Sequence, residues 1–436
     1  MIHAHDAATP FLDRGRLEPV AGPALGGLAI AAFVLAPCAA PGLLVMLAAV
    51  PILALASSGR TAAVALLSSP LTAACVIFGC YIAVNAFWSA DLAQAYGKVA
   101  FYWVAILLVC LAAGGLRKLG VRALERMQQA VIAAAAIGGA LLVFEVLSGC
   151  LIGRTLFSII PAIRPDPKHI QIVDGWVTMI QPYVLNRNVA ALCFVIWPCL
   201  LMLRTLLGVQ TARRIGLPVL AAVALVVLRS DHATSVIALT LAGLTVVGMT
   251  LAPPLVRRLI AVAWTAAALL VVPLTSLAFD HQLQTADWLP QTARNRIVLW
   301  GHTAKEIKAA PLLGVGVAST RELDEAHAPT AARPEGYTFS LRTGRHSHSI
   351  FMQTWYELGA VGAVLLLVVG LVGLEALSRL PQADQPLAFA GFVTTVTIGA
   401  SSWGMWQTWF MAAYGIWAVL LALALEGARR QRVRQA

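Results

Sequence analysis

The chain has 436 residues, 59% of them hydrophobic and only 12% charged, with a mean hydropathy of +0.80. A soluble domain carries about 25% charged residues and alternates polar with apolar faces, so that class is excluded. The net charge of +11 would point to nucleic acid in a soluble protein. Here it points to membrane orientation and anionic headgroups, and no nucleic-acid partner is expected.

The first 20 residues, MIHAHDAATPFLDRGRLEPV, are polar, and residues 1–21 read as a cytoplasmic tail with no cleavable signal segment. Apolar runs then recur, each near the ~20 residues a helix needs to cross hydrocarbon. They place twelve spans at 22–37, 40–56, 71–88, 98–115, 129–149, 187–207, 216–229, 233–251, 259–279, 349–374, 387–402 and 405–425. The expected fold is an all-α integral membrane protein. Nine spans lie within 22–279, broken by a loop near 150–186. A large loop (280–348), three more spans (349–425) and a basic tail (426–436) follow. The seven cysteines are scattered singly with no metal-type pair, and they read as small hydrophobes.

Orientation follows from the short connections. Arg117, Lys118, Arg122, Arg126, Arg213, Arg214, Arg257, Arg258, Arg379 and the four tail arginines fall on one side under a twelve-span count. That side is cytoplasmic, both termini included. The two long loops then lie outside and hold eleven further cations, among them Arg154, Arg164, Arg294, Arg296, Arg321 and Arg345. Seven of the nine histidines lie outside too: His169, His232, His281, His302, His327, His346 and His348. This asymmetry assigns the chemistry to the outer face, and an anionic ligand would account for the outer charge. No phosphate-binding loop for a nucleotide is present, so a reaction must run on a preactivated substrate or a gradient.

The most informative stretch opens with RNRIVLWGHTAKEIKAAPLLGVG. Ile297, Trp300, Ala304 and Ile307 recur at helical spacing, as in an amphipathic helix lying on the membrane surface and ended by Pro311, Gly314 and Gly316. Arg296 either rests on headgroups or turns into a cavity to bind phosphate, as a guanidinium does in bidentate fashion. Then comes HSHSIFMQTWYELG, at the start of a span. On a helix two histidines at i and i+2 lie about 200° apart, so one of them is expected to face a given site. A metal would favour an i, i+4 pair or added carboxylates, which this segment lacks. A histidine is otherwise the side chain best suited to take a proton at neutral pH. Glu357, near the span start, is expected to pair with a neighbouring basic group.

These residues resemble a family. Arg296-x-x-x-Trp300, then Pro-Leu-Leu-Gly-Val-Gly at 311–316, then His346-Ser-His348, then Glu357-Leu-Gly, is similar to the O-antigen ligase and polymerase superfamily. Asn186-Arg187-Asn188, opening a span after the first outer loop, is similar to that family's Asn-Arg-Asn element. The resemblance covers most of the chain. Two departures stand out: Ser349 follows the second histidine where the family commonly has Asn, and Leu228-Arg229-Ser230-Asp231 stands where the family often has Ser-Arg.

The resemblance implies a GT-C-like fold, about twelve transmembrane helices with a large periplasmic loop containing short amphipathic helices, in the bacterial inner membrane. It implies transfer of a glycan from an undecaprenyl-diphosphate-linked O-antigen donor to a sugar hydroxyl of the lipid A–core acceptor, with membrane lipids around both. His348 is expected as the base, with His346 second. Arg296, Arg187, Arg229 and Arg294 would bind the diphosphate, Arg229 from a shifted position. Asn186, Asn188, Trp300, Gly314, Gly316, Ser349 and Glu357 are the supporting residues. No Asp-x-Asp pair occurs, so arginines would take a metal's charge-neutralising role, and no cofactor is expected. The rivals are an O-antigen polymerase or protein O-oligosaccharyltransferase of the same superfamily and, in another class, a secondary transporter or flippase. Few charges at mid-span, and a large loop in one half only, argue against transport.

Overall fold

The computed structural model describes residues 14–56 and 69–436, so the start of the expected N-terminal tail lies outside the described residues. Every expected span becomes a helix. The first five are α1 (Arg14–Leu35), α2 (Ala40–Ala56), α3 (Pro70–Asn85), α4 (Leu92–Leu116) and α5 (Val121–Leu147). A short α6 (Leu151–Ile159) and an antiparallel hairpin, β1 (Ile170–Val173) and β2 (Trp176–Ile180), fill the first long loop. Then come α7 (Asn186–Leu207), α8 (Val209–Arg229), α9 (Ala233–Leu251) and α10 (Pro253–Asp280). The second long loop holds α11 (Gln291–Ile307) and α12 (Thr320–His327). The chain closes with α13 (Ile350–Ser378), α14 (Gln385–Ser401) and α15 (Thr408–Gln435).

Among the described residues ten helices are long and apolar enough to cross a membrane. The other two expected spans are shorter: α1 is apolar over Val20–Leu35, and α14 has 17 residues. Several features differ from the sequence reading: α1 begins at Arg14, inside the stretch read as a tail, and α4, α8 and α10 begin at Leu92, Val209 and Pro253, each earlier than expected. The 170–180 hairpin makes the chain not wholly α. Helix α5 starts at Val121, which puts Arg122 and Arg126 on its first turns rather than in a connection. Residues 426–435, read as a tail, continue α15 because Glu426 pairs with Arg429 and Arg430 one turn on.

Helix α7 is the centre of the bundle. Its apolar stretch is 89% buried within protein, whereas several outer helices are buried over about a third of theirs. It packs against α1, α5, α8, α14 and α15. At one end of the bundle, Arg204 from α7 and Arg432 from α15 converge on the buried Asp384 before α14. There Arg430 also donates to the carbonyls of Leu116, Arg117 and Leu119, closing the last turn of α4. The histidine-rich loops meet at the other end.

A break in α13 shapes that end. Gly359 has φ 64° and ψ −165°, a region essentially open to glycine alone. The freed backbone pairs with the 311–316 segment. Val315 N–H donates to Tyr356 O (3.0 Å), Gly316 N–H to Glu357 O (2.9 Å) and Ala360 N–H to Pro311 O (2.9 Å). A Cβ on Gly314 would lie 2.4 Å from Glu357 O, and one on Gly359 2.3 Å from Leu312 O. Asn85 and Tyr81 of α3 donate to Leu313 O and Leu358 O, at 2.7 and 2.6 Å. The glycine motifs therefore weld the second loop to α13 and α3.

Candidate active site

The site is built where three connections meet: the 346–349 segment before α13, the 402–407 loop between α14 and α15, and the 230–232 corner between α8 and α9. His346 and His348 are not on a helix, because α13 starts at Ile350 with Ser349 as its cap, Ser349 Oγ accepting from Met352 N–H at 3.3 Å. In this extended segment His348 takes a left-handed φ of 54°, which turns both rings to the same side. Their centroids lie 4.2 Å apart. The expectation that helical spacing separates them fails for that reason.

His348 Nδ1 lies 2.5 Å from the carbonyl of Ser402. A carbonyl only accepts, so Nδ1 carries the proton and Nε2 keeps its lone pair. Burial pushes the His348 pKa below its ordinary value; the Ser402 bond acts the other way, and the Arg296 charge adds to the depression. The imidazole is therefore neutral at neutral pH, with Nε2 free to take a proton. Burial also pushes His346 down to about 4, with His348, Arg187 and Arg345 contributing. Trp300 of α11 donates to the Ser347 carbonyl at 2.5 Å and so fixes the segment between the two histidines.

Arg296 is half-buried, and burial lowers its pKa from the guanidinium range. Helix α11 is not a lipid-facing anchor: Val298, Leu299, Gly301, Thr303, Ala304 and Ile307 are buried against α10 and α13, a broader face than the sequence suggested. Arg187 is exposed beside the pair and lies over the Trp409 ring, 5.5 Å from its centroid, with Nη1 3.2 Å from Cys38 Sγ. Asn188 of the same turn donates to Val34 O and Leu35 O (2.9 and 2.8 Å), tying α7 to the end of α1. The Asn186 Oδ1 is buried without a partner.

The other expected residues fall elsewhere. Arg294 pairs with Asp287 at 3.1 Å. Arg229 is exposed at the end of α8. Arg154 and Arg164 spend their guanidiniums on backbone carbonyls around α6 and the hairpin, so the charge of the first loop is largely structural. Among the described residues Glu357 meets no cation. Its carboxylate accepts from Ala318 N–H (2.9 Å), Thr320 N–H (3.1 Å) and Gln353 Nε2 (3.0 Å), and from Thr320 Oγ1 and Trp406 Nε1. It is a fully buried tie between the second loop, α13 and the 402–407 loop.

Sequence reasoning missed His232 as a member of this cluster, along with Ser402 and Gln353. His232 is 6% exposed; its Nδ1 lies 2.6 Å from Ser235 Oγ and its Nε2 3.1 Å from Ser402 Oγ. Burial, with the Arg296 charge second, pushes its pKa to about 4. Ser402 thus joins two histidines, by its hydroxyl to His232 and by its carbonyl to His348. Gln353 Oε1 accepts from Met405 N–H (2.9 Å) and holds the loop that carries Ser402. The available signal was His-x-x-Ser at 232–235, a polar pair at the start of an apolar run.

Residues 190–367 match the family described as O-antigen ligase. Over that stretch, the chain is similar to the O-antigen ligase family. Among curated proteins it is similar to a candidate polysaccharide ligase of Rickettsia felis, 24% identical over 55% of this chain and 58% of the relative. Another of Rickettsia prowazekii is 25% identical over the same shares. The match thus spans little more than half of each relative's length. The family segment runs from α7 to the middle of α13. It contains Arg296, His232 and the histidine pair, but not Arg187 or Ser402.

Proposed function

We propose that the protein is a glycosyltransferase of the O-antigen ligase type, moving a glycan from undecaprenyl diphosphate to a sugar hydroxyl of lipid A–core on the periplasmic side of the inner membrane. The observation that carries this reading is His348: a neutral imidazole with Nδ1 locked on a carbonyl, Nε2 open, and a half-buried guanidinium beside it.

In this mechanism the acceptor O–H gives its proton to His348 Nε2 and its oxygen attacks the anomeric carbon. The bond from that carbon to the diphosphate breaks, and its electron pair leaves on the diphosphate oxygen. Arg296 and Arg187 face the charge that develops there, where fixed cations stabilise a transition state without reorganising. The proton then passes from His348 to bulk solvent or to the departing diphosphate. A single displacement inverts the anomeric centre. His232 acts as a positioning residue through Ser402, holding the carbonyl that sets the His348 tautomer.

The test combines the purified full-length chain, undecaprenyl-diphosphate-linked O-antigen and lipid A–core in detergent with EDTA and without nucleotide. Capped lipid A–core on a gel supports the reading. Longer lipid-linked glycan without capping replaces it with a polymerase, and no product from competent substrates overturns transfer altogether.

A further inference from the structure

Beside the histidine pair lies a cavity of about 280 Å³ to which the transfer step above gives no role. Its wall is cationic and comes from three separate segments: Lys98 of α4, Arg321 at the start of α12, and Arg345 just before the pair. His346 closes its inner side, and Gln94 and Gln407 add polar groups. Arg296, Arg187 and His348 do not line it.

The charges are not balanced. Arg321 and Arg345 reach the same Glu325 oxygen, at 3.0 and 2.9 Å, so one carboxylate answers two guanidiniums. Lys98 is half-buried and has no ion-pair partner among the described residues. Glu357 touches the cavity too, but five internal donors already occupy its oxygens. Counting every one of these groups as ionised still leaves the wall net positive. A lysine near a span end ordinarily extends along lipid to reach water. Lys98 instead shares a concave wall with arginines from two other segments, and a preformed concavity with a few convergent polar groups is the usual form of a ligand site.

We propose that this cavity is the acceptor subsite, and that Lys98, Arg321 and Arg345 hold an anionic substituent, carboxylate or phosphate, carried by the accepting saccharide. The inference rests on the transfer reading. The His346 ring lies between the cavity and His348, 4.2 Å from the latter by centroid, so a sugar anchored there presents its hydroxyl about one ring's width from the base. Of the cations assigned to the diphosphate, Arg296 acts on His348 and Arg187 on His346, and neither lines the cavity. The volume is close to the lower bound of about 300 Å³ for small-molecule pockets, and it suits one saccharide unit rather than a chain.

The experiment uses full-length protein in detergent and three acceptors: intact lipid A–core, the same material dephosphorylated, and the same material with its carboxylates methyl-esterified. Binding of each without donor is measured by thermophoresis, and KM for acceptor and donor by transfer. Lys98→Met should weaken binding of intact acceptor and raise its KM about tenfold, the effect of about 1.4 kcal/mol. Donor KM should not change, and Lys98→Arg should restore the wild-type value. The modified acceptor on which Lys98→Met no longer matters identifies phosphate or carboxylate as the group held. A rise in donor KM, equal losses on all three acceptors, or no change overturns the proposal. Arg345→Gln gives the same comparison should Lys98→Met fail to elute as folded protein. If wild type transfers to none of the acceptors, the transfer reading fails. The binding arm then still decides the cavity: Lys98-dependent capture of the anionic acceptor supports it, and charge-independent binding overturns it.

Discussion

His348 holds a left-handed backbone at φ 54°, a conformation that costs a non-glycine residue about 1–2 kcal/mol. The Ser402 carbonyl fixes the result, so backbone strain here is tied to the reactive tautomer. His348→Ala should lower transfer about 10²–10⁴-fold, the usual worth of a general base, with the protein still eluting as a folded species. Because the His348 pKa lies below its ordinary value, the neutral base persists to more acid pH than a free imidazole would. The acid limb of kcat should therefore inflect below pH 6.5, and an inflection at or above 6.5 would contradict the buried site. The stability sign is separate. His232 and His346 fold neutral with pKa values near 4, so between pH 6.5 and 4 the unfolded chain binds more protons than the folded one. Stability is complete above about 6.5 and declines toward 4, which thermal melts across that range would show. For His232→Ala, the positioning role predicts a kcat loss of about tenfold with both KM values held, largely restored in His232→Gln, whose amide can still reach Ser402.

Element by element, the apolar runs announced the long helices, ten of which among the described residues are long and apolar enough to cross a membrane, because a run of that length in a chain this poor in charge has few other uses. Caps such as Ser349, and Asp91 before α4, set where the helices begin. The site was less legible. His346 and His348 could be picked out, yet their common orientation depends on Ser402, more than 50 residues later, and on a torsion that no spacing rule supplies. Glu357 looked like half of an ion pair; its true partners are a tryptophan, a glutamine, a threonine and two backbone amides from three segments. The Leu-Gly that follows it is the more telling signal, since Gly359 occupies backbone space that a side chain cannot share. Gly359→Ala should cost at least about 1–3 kcal/mol, and more because its Cβ would strike Leu312 O, so folded yield and melting temperature both fall. Glu357→Ala strands five buried donors. It should collapse the second loop and abolish folded yield, whereas Glu357→Gln keeps the size and loses only part of the acceptor capacity.

For the molecule as a whole, the basic groups divide by task. At the Asp384 end, Arg204, Arg430 and Arg432 are spent on a carboxylate and on helix-terminal carbonyls. Those around the histidines keep cavities cationic. If the first end faces the cytoplasm, as the positive-inside trend predicts, a reporter active only outside that compartment should give signal when inserted after Arg333 and none when fused after Ala436. The opposite pattern would move the site to the inner face and end the periplasmic reading.

Helix α7 carries a consequence for biogenesis. It opens the family segment, yet α14 and α15, which enclose much of it, are made well over a hundred residues after it. Until they arrive, a helix made for contact with protein on all sides has lipid along part of its length. Assembly is thus a late closing around an early mast. Losing α14 and α15 removes Ser402 and the enclosure of α7 in one stroke, so folding of the bundle and assembly of the histidine cluster depend on the same part of the chain.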